Sequence, residues 1–479
     1  MHPYLFLQEE VLKKGHPKGD RTKTGTLSLP GLVRRYDIRH ETPAIVSTKK
    51  LHIETGLVEE QWMMSGDTDV KFLKENNCNI WDDWVNDPNA VYRPRTVKEM
   101  RRVYTRNHFQ WALPDVMAYR ENYADADWTG VYAGEHFIIW EVVQEGKDPY
   151  HCLVETYKGS IDLIHWTDRE DPVWLDFYRA LGISDQEVVS GDLGAVYGKM
   201  FRSIPDVRMI EPSDDAQHLA LSARGFEYMG SMTPVSDDVT TKDIYHRNID
   251  QVGMLLRQFE SGDYDSRRLI LCPWNPAYID EQALPPCHSF IQFWTRDLTP
   301  DERFDIYIHR NERMQQEVLQ RAAENPECLL SNMYTNVTQI PKTIWFNDKN
   351  TTEEATAKMV EFLDHMDIPK KALTCILFQR SADIFLGVPY NLTFYSILTH
   401  KLARQFNMWG EELIHMLGDG HIYANHVDQV KLQQGRIPLQ PPYLRFNKPV
   451  GTSILDYTFK DVELVGYNSY PAIPAPIAV

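Results

Sequence analysis

The sequence predicts an α/β fold in which helices pack on a buried β-sheet. Residues 249–260 place apolar side chains along one stripe of a helix, which is typical of a helix that lies on a core. Residues 269–274 and 289–296 are short apolar runs of the kind that form buried strands. Residues 391–408 are apolar on more than one face, which predicts a central helix enclosed on several sides.

Two local signals refine the helices. A further helix is predicted at 51–64, where apolar residues recur at helical spacing until Gly66 and Asp67 end the pattern. Pro389 stands just before the predicted central helix, where proline is tolerated because the first helical N–H groups have no partner within the helix.

Three segments differ in character from the rest of the chain. Residues about 90–188 are rich in aromatic and acidic side chains, and residues about 205–243 look loop-like, with many Ser, Asp and Pro. Residues about 297–372 contain two predicted helices, at 310–325 and 351–366.

Composition excludes several classes of protein. The chain has 479 residues with 50 Lys and Arg against 68 Asp and Glu, a formal net charge of −18, which argues against binding of nucleic acid. No apolar run reaches the roughly 18 to 20 residues that span a bilayer, and the N-terminal sequence lacks the features of a signal peptide. The six cysteines form no CxxC pair, so neither disulfides nor a zinc site is expected. We therefore expect a cytoplasmic enzyme with reduced thiols, no metal and no membrane association.

The residues that could carry chemistry are a cysteine and several arginines. Cys287 follows two prolines and precedes His288 at the start of a predicted strand. A nucleophilic cysteine needs positive charge near its thiolate, and Arg380 and the pair Arg267 and Arg268 are candidate sources. Converging guanidinium groups would also bind phosphate.

Several motifs together resemble the thymidylate synthase family, and they occur in the order of that family. They are DRTKTGTLS from Asp20, EEQWMMSGDT from Glu59, IWDDW from Ile80, GDLGAVYG from Gly191, LPPCH from Leu284, QRSADIFLGVPYN from Gln379, LGDGHIYANH from Leu417 and the terminal APIAV from Ala475. The chain departs from the family at Ala195, where a proline is usual, at Ala382, where cysteine is frequent, and at Tyr390, where phenylalanine is frequent.

The resemblance covers residues about 1–90, 189–204, 244–296 and 373–479. It implies one catalytic domain over 1–479, with an α/β (α+β) core of a large mixed β-sheet and a central helix. The three unusual segments, about 90–188, 205–243 and 297–372, are then insertions into that core.

The resemblance also implies catalytic roles. In the family, a thiolate adds to C6 of a pyrimidine nucleotide so that C5 can attack the methylene of 5,10-methylenetetrahydrofolate. The matching catalytic residues are Cys287 as nucleophile, Glu59 as acid and base through ordered water, Tyr197 in removal of the C5 proton, and Arg380, Asn391, His288 and Asp383 around them. Glu60 lies about 100° around the helix from Glu59, and we expect it at the surface.

The nucleotide implied by the resemblance is dUMP. An amide at Asn391 can both donate and accept, as O4 and N3–H of uracil require, whereas related cytosine hydroxymethylases carry aspartate there. The positions that match the dUMP site are Arg21, Arg267, Arg268, Gln379, Arg380, Ser381, Asp383, Asn391, His421 and Tyr423. Because the family supplies the equivalents of Arg267 and Arg268 from the partner subunit, a homodimer with shared active sites is expected.

Other positions match the folate site, and 5,10-methylenetetrahydrofolate is the expected co-substrate. The matching residues are Trp81, Trp84, Leu284, Asp383, Leu386, Gly387, Tyr390 and Ala478. For Trp84 and Leu284, plain core packing is the alternative explanation.

Two outcomes of the reaction are open at this point. Hydride from the folate gives dTMP and dihydrofolate, as Trp81 and the retained C-terminal tail favour, because both would exclude water. Water instead gives 5-hydroxymethyl-dUMP and tetrahydrofolate, the activity of phage hydroxymethylases, which would place the enzyme in a host cytoplasm; the three insertions and Tyr390 favour it. A non-catalytic relative is a third reading, against which the complete set of Cys287, Arg380, Asn391 and Glu59 argues.

Overall fold

The computed structural model describes residues 2–20, 22–84, 92–94, 126–133, 137–144, 151–156, 161–165, 186–188, 191–212, 214–232, 242–324 and 352–476. The helices are α1 (Pro3–Lys14), α2 (Ile53–Ser65), α3 (Lys71–Glu75), α4 (Tyr197–Arg202), α5 (Asp215–Ala223), α6 (Gln251–Glu260), α7 (Pro300–Glu324), α8 (Thr352–His365), α9 (Gly387–Gln405) and α10 (Val427–Gln434).

The strands are numbered in chain order in the same way. They are β1 (His16–Lys18), β2 (Thr26–Asp37), β3 (Tyr92–Pro94), β4 (Ala126–Ala133), β5 (Phe137–Gln144), β6 (His151–Thr156), β7 (Ile161–His165), β8 (Gln186–Val188), β9 (Ile204–Ile210), β10 (Glu227–Met232), β11 (Lys242–Ile249), β12 (Ile270–Leu271), β13 (His288–Asp297), β14 (Lys371–Gln379), β15 (Ala382–Asp383), β16 (Trp409–Tyr423), β17 (Tyr443–Phe446) and β18 (Val462–Val465).

A large mixed sheet forms the centre of the fold, as the family resemblance implied. Its strands follow the order β1-β2-β16-β14-β13-β12, and β15 pairs with β16 beside this path. Strand β16 runs parallel to β14 and β15, whereas the other neighbouring pairs are antiparallel. The register pairs His288 with Gln379, so the end of β14 lies beside the start of β13.

Helix α9 is the predicted central helix, and it packs on β14 and β16. Most of its side chains are buried, including Leu392, Tyr395 and Leu398. The helix begins at Gly387, earlier than predicted, so Pro389 lies inside its first turn. Proline costs little there, because N–H groups in the first turn have no partner within the helix.

The predicted surface position of Glu60 is wrong. Helix α2 packs on α9, and the carboxylate of Glu60 lies 2.6 Å from the ammonium of Lys401, with both side chains buried. Glu60 points away from Glu59, as the helical spacing predicted, but that direction faces α9 and not solvent. Burial raises the pKa of Glu60, and the charge of Lys401 opposes that rise.

The three segments predicted as insertions contain regular structure. In the first, β3 pairs with β8, and β4–β7 form an antiparallel four-stranded sheet. The second was predicted as a loop, and this was wrong: β9, β11 and β10 form a sheet with α5 beside it. In the third, the two predicted helices are confirmed as α7 and α8, and α7 begins at Pro300, before the predicted start.

The third segment is tied to the rest of the chain by arginines. Arg303 is buried and bonds Asp364 at 2.6 Å and the carbonyl of Pro369 at 3.1 Å, which joins α7 to the end of α8. Arg313 of α7 pairs with Glu41, in the connection that follows β2.

None of the helices in the described part of the chain is long and apolar enough to cross a membrane.

The ion pair between Glu60 and Lys401 gives the first prediction. Glu60→Ala should lower the free energy of unfolding by about 3–5 kcal/mol, because it leaves a buried ammonium without its partner. The double variant Glu60→Leu with Lys401→Met should be close to wild type, since it removes both charges together. Equilibrium unfolding in urea at fixed protein concentration measures both values, and a Glu60→Ala variant as stable as wild type would contradict the pairing.

Candidate functional site

The candidate site lies where β13 begins, β14 ends and α9 begins. Cys287 directly precedes β13, and Arg380 directly follows β14. The N–H of Arg380 donates to the carbonyl of Cys287 at 3.0 Å, which extends the pairing of the two strands by one step. Two distant parts of the sequence are therefore held together at the thiol.

The backbone around Cys287 is fixed from two sides. The hydroxyl of Tyr197 accepts the N–H groups of Cys287 at 2.7 Å and of His288 at 3.2 Å. On the other side, the guanidinium of Arg380 donates to the carbonyls of Pro286 at 2.9 Å and of Pro285 at 2.8 Å. The position of the thiol is thus set by contacts to the main chain before it and after it.

The groups around the thiol shift its pKa in opposite directions. Burial raises the pKa of Cys287, and the negative charge of Asp383 raises it further, whereas the charge of Arg380 lowers it. Arg380 is therefore the group that favours the thiolate, which is the nucleophilic form of a cysteine.

Glu59 is a carboxyl group with a strongly shifted pKa. It projects from α2, and its carboxylate accepts the indole N–H of Trp81 at 2.8 Å. Burial raises the pKa of Glu59 to about 7, and the bond from Trp81 opposes that rise. A carboxyl group with a pKa near 7 can both donate and accept a proton at neutral pH.

Trp81 links this carboxyl to the environment of the cysteine. Its ring lies 6.3 Å from that of Tyr197, and 5.7 Å from the rings of both Trp62 and Trp84. Burial raises the pKa of Tyr197 well above its usual value, so this hydroxyl stays protonated while it accepts the two main-chain bonds.

A buried polar network lies on the sheet side of the site. The amide of Gln379 donates to the oxygen of Asn391 at 3.0 Å and bonds the imidazole of His415 through its own oxygen. His288 is buried, and Tyr395 contacts its Nδ1 at 3.2 Å. Burial lowers the pKa of His288 to about 4, so its imidazole is neutral at pH 7.

Sequence reasoning missed His415 and Tyr395. His415 is the polar residue at a buried position of an otherwise apolar strand segment, LIHML, and that irregularity was the available signal. Tyr395 gave no such signal, because a tyrosine in an apolar helix is ordinary core.

Most of the predicted folate residues lie in the main core or pack against it. Trp84, Leu284, Leu386 and Tyr390 are partly buried and pack against the main core. Asp383 accepts the N–H groups of Phe385 at 2.9 Å and of Leu386 at 3.1 Å through Oδ1. A Cβ at Gly387 would lie 3.7 Å from the amide oxygen of Asn391, so the first turn of α9 brings these positions together. The hydroxyl of Tyr390 accepts the N–H of His52 at 3.3 Å.

His421 and Tyr423 lie at the end of β16, with ring centroids 5.1 Å apart. Nδ1 of His421 lies 3.3 Å from a carboxylate oxygen of Asp419. This contact, with further bonds from Lys18 and Ser28, holds the pKa of Asp419 well below its usual range. Strand β15 pairs Asp383 with His421, so these two predicted site residues lie side by side.

Other predicted residues of the nucleotide site are exposed or only partly buried. The side chains of Arg267 and Arg268 are exposed, just before the edge strand β12, and Ser381 is partly buried in the turn after Arg380. Arg21 and Ala478 lie outside the described residues. Within the described ranges, no group of three or more His, Cys, Asp or Glu side chains is arranged to hold a metal ion.

The chain is similar to known proteins over nearly its whole length. The family model described as thymidylate synthase matches residues 2–336 and 347–479. A thymidylate synthase of Listeria monocytogenes serotype 4a (strain HCC23) is 27% identical over 479 residues, covering 100% of both chains. One from Listeria innocua serovar 6a (strain ATCC BAA-680 / CLIP 11262) is 28% identical with the same coverage. One from Staphylococcus haemolyticus (strain JCSC1435) is 27% identical over 476 residues, covering 99% of this chain and 98% of the relative.

The bond between Trp81 and Glu59 gives the second prediction. Titration of Glu59 by ¹³C NMR, assigned with Glu59→Gln, should give a pKa of about 7. Trp81→Phe should raise that value further, because the lost N–H stabilises the carboxylate. Trp84→Phe is the matched control, and it should leave the pKa unchanged. A pKa near the ordinary value for glutamate, or one that does not move in Trp81→Phe, would refute the assignment.

Proposed function

The chain belongs to the thymidylate synthase family, and we propose that it converts dUMP and 5,10-methylenetetrahydrofolate to dTMP and dihydrofolate. Family membership supports the broader reaction, a folate-dependent one-carbon transfer to C5 of dUMP. The observation that carries the proposal is the cysteine whose backbone is held by Tyr197 and Arg380 beside a carboxyl group of raised pKa.

Cys287 is the proposed nucleophile. Its thiolate forms a bond to C6 of dUMP, and the electron pair of the C5–C6 double bond becomes available at C5 for attack on the methylene carbon. Arg380 supports this step through its charge, which opposes the rise in the pKa of the thiol caused by burial. The bond to C6 breaks again at the end of the reaction, so the thiol is regenerated.

Glu59 and Tyr197 are proposed to serve the proton transfers. A carboxyl group with a pKa of about 7 can exchange protons with the base and with the leaving folate nitrogen near neutral pH. The hydroxyl of Tyr197 receives two main-chain bonds, so its own proton is directed away from the strand. It can therefore donate a bond to a water molecule that takes up the proton leaving C5.

The choice of dUMP rests on Asn391. Its amide is held by Gln379 in a buried network, so it presents a fixed hydrogen-bonding group to a base. His421 and Tyr423 are the proposed contacts of the sugar hydroxyl. Arg380, Ser381 and Arg21 are the proposed phosphate contacts within the chain.

The apolar wall beside α9 is suited to a folate. Trp81, Trp84 and Tyr390 supply flat surfaces of the kind on which aromatic rings stack. The main-chain N–H groups of Phe385 and Leu386 both bond Oδ1 of Asp383, so Oδ2 is the oxygen that we assign to an N–H group of the pterin.

Transfer of hydride, and not addition of water, is favoured by the setting of Trp81. Its indole is buried and fixed by the bond to Glu59, and its neighbours are the rings of Trp62, Trp84 and Tyr197. Such an apolar surface excludes water from the reacting carbon. Tyr390 is the observation that favours the alternative, a dUMP hydroxymethylase, because its hydroxyl accepts the N–H of His52 and keeps its own proton to orient a water.

A homodimer is proposed from the outer face of the sheet. Trp294, Val33 and Met416 are exposed there, and Trp294 is 52% exposed. Met416 pairs with Val33 and with Phe378, which in turn pairs with Phe290, so these side chains share one face. An exposed apolar face of this kind is typical of a protein interface, and Arg267 and Arg268 lie exposed at the β12 edge of the same sheet.

Product analysis tests the reaction. With dUMP and methylenetetrahydrofolate, the protein should form dTMP and an equal amount of dihydrofolate, measured by mass spectrometry of the nucleotide and by absorbance of the folate. Cys287→Ser should abolish both products while it retains binding of dUMP, since a hydroxyl is a far weaker nucleophile. Formation of 5-hydroxymethyl-dUMP with tetrahydrofolate would replace the proposal by its alternative, and absence of any product would refute both.

Mixing of two inactive variants tests the shared site. Cys287→Ala and Arg267→Glu should each be inactive as homodimers, whereas a heterodimer regains one site with both residues intact. After subunit exchange at equal ratio, activity should recover to about a quarter of wild type, because about half of the dimers are mixed and each has one working site. Exchange is verified with differently tagged subunits, and no recovery despite exchange would count against an arginine that acts across the dimer.

A further inference from the structure

A buried hydrogen-bonded chain leads from β16 through β14 to the first helical turns of α9. His415 is fully buried in β16, and its Nε2 bonds the side-chain oxygen of Gln379. Gln379 is 1% exposed, and its Nε2 lies 3.0 Å from the oxygen of Asn391. Asn391 is therefore connected to a residue two strands away from the nucleophile.

His415 determines which group donates in each of these hydrogen bonds. A side-chain amide oxygen can only accept, so Nε2 of His415 must carry the hydrogen. Burial lowers the pKa of His415 to about 3, so the ring is neutral and its single hydrogen is on Nε2. Its buried Nδ1 has no hydrogen-bond partner among the described residues, as an unprotonated acceptor.

The reverse arrangement, in which Gln379 donates to His415, costs more free energy. If Gln379 donated to His415, the hydrogen of the ring would move to Nδ1, and a buried N–H would lack an acceptor among the same residues. Orphaned N–H groups are rarer in protein interiors than acceptors that lack a donor. The arrangement in which His415 donates to Gln379 is therefore favoured.

The orientation of Gln379 in turn determines the orientation of the Asn391 amide. Because Gln379 presents its oxygen to His415, it presents its NH₂ group to Asn391, and the oxygen of Asn391 accepts. The NH₂ group of Asn391 then supplies the donor for a ligand. The side chain of Asn391 also bonds His288, but an NH₂ group carries two hydrogens, so at least one remains. That donor complements the carbonyl O4 of uracil and opposes the amino group that cytosine carries at the same position.

We propose that His415 is a positioning residue for base choice, which acts through Gln379 to fix the amide of Asn391 with its donor toward the nucleotide. This inference rests on the proposed function, in that it takes a pyrimidine nucleotide as the ligand. The preference for uracil then depends on the buried ring of His415, which can only donate to Gln379, as well as on Asn391 itself.

Equilibrium binding of dUMP and of dCMP by titration calorimetry tests the inference without any turnover. His415→Phe keeps a ring of similar shape but has no N–H, so both amides can turn over, and the ratio of the two affinities should fall roughly tenfold or more. His415→Gln keeps a partner for Gln379 but can donate or accept, so the ratio should still fall several-fold. The matched control is His400→Phe, which removes another buried histidine, outside this chain of bonds, and should leave the ratio unchanged.

The outcomes separate this inference from the proposed function. A folded His415→Phe protein with the wild-type ratio, or with both affinities reduced equally, overturns the role of His415. If His415→Phe does not fold, a wild-type ratio in His415→Gln overturns it instead. Wild-type protein that binds dUMP more tightly than dCMP but forms no product with the folate refutes the proposed reaction and leaves the binding test of His415 valid.

Discussion

The hydroxyl of Tyr197 is the contact on which the rest of the site depends. It accepts the N–H groups of two successive residues, Cys287 and His288, just where the chain enters β13. The two preceding prolines have no N–H, so this stretch cannot be held by its own donors before Cys287. Their carbonyls are bonded by Arg380 instead. The entry to the strand is thereby fixed by one acceptor and one cation.

The register of the sheet carries that constraint to the other groups. Because His288 faces Gln379 across β13 and β14, a fixed Cys287 also fixes the residue that bonds Asn391. Tyr197 extends the same constraint toward Glu59, through the ring of Trp81. Enclosure by these apolar groups raises the pKa of both Glu59 and Cys287. The shift suits a carboxyl group that exchanges protons near pH 7 but disfavours a thiolate, and the charge of Arg380 compensates at the cysteine.

The sequence predicted the parts of the fold whose periodicity comes from burial. Helices α6 and α9 and strand β13 have apolar residues on the faces that meet the core, and they formed as expected. The small sheet of β9–β11 was missed because strands such as EYMGSM are short, polar and largely exposed, so alternation gives no signal. Glu60 was misplaced because a position on a helix fixes direction only, and which neighbour lies in that direction is a tertiary fact. The motifs predicted the members of the site, whereas the bonds through His415 could not be predicted without the register of β14 and β16.

Two of the segments predicted as insertions need not disturb this site, because their ends meet in strand pairs. The third segment lies between β13 and β14, and Asp297 and Lys371 pair across its two ends, with their charged groups 2.9 Å apart. The first segment is closed in the same manner by the pairing of β3 with β8. The entropic cost of closing a loop rises only with the logarithm of its length, about 0.6 kcal/mol for each doubling. A long segment whose ends already meet in a strand pair therefore costs little more than a short turn. The register at His288 and Gln379, at the opposite end of the same strands, is set by Tyr197 and Arg380 and does not depend on the length of the connection.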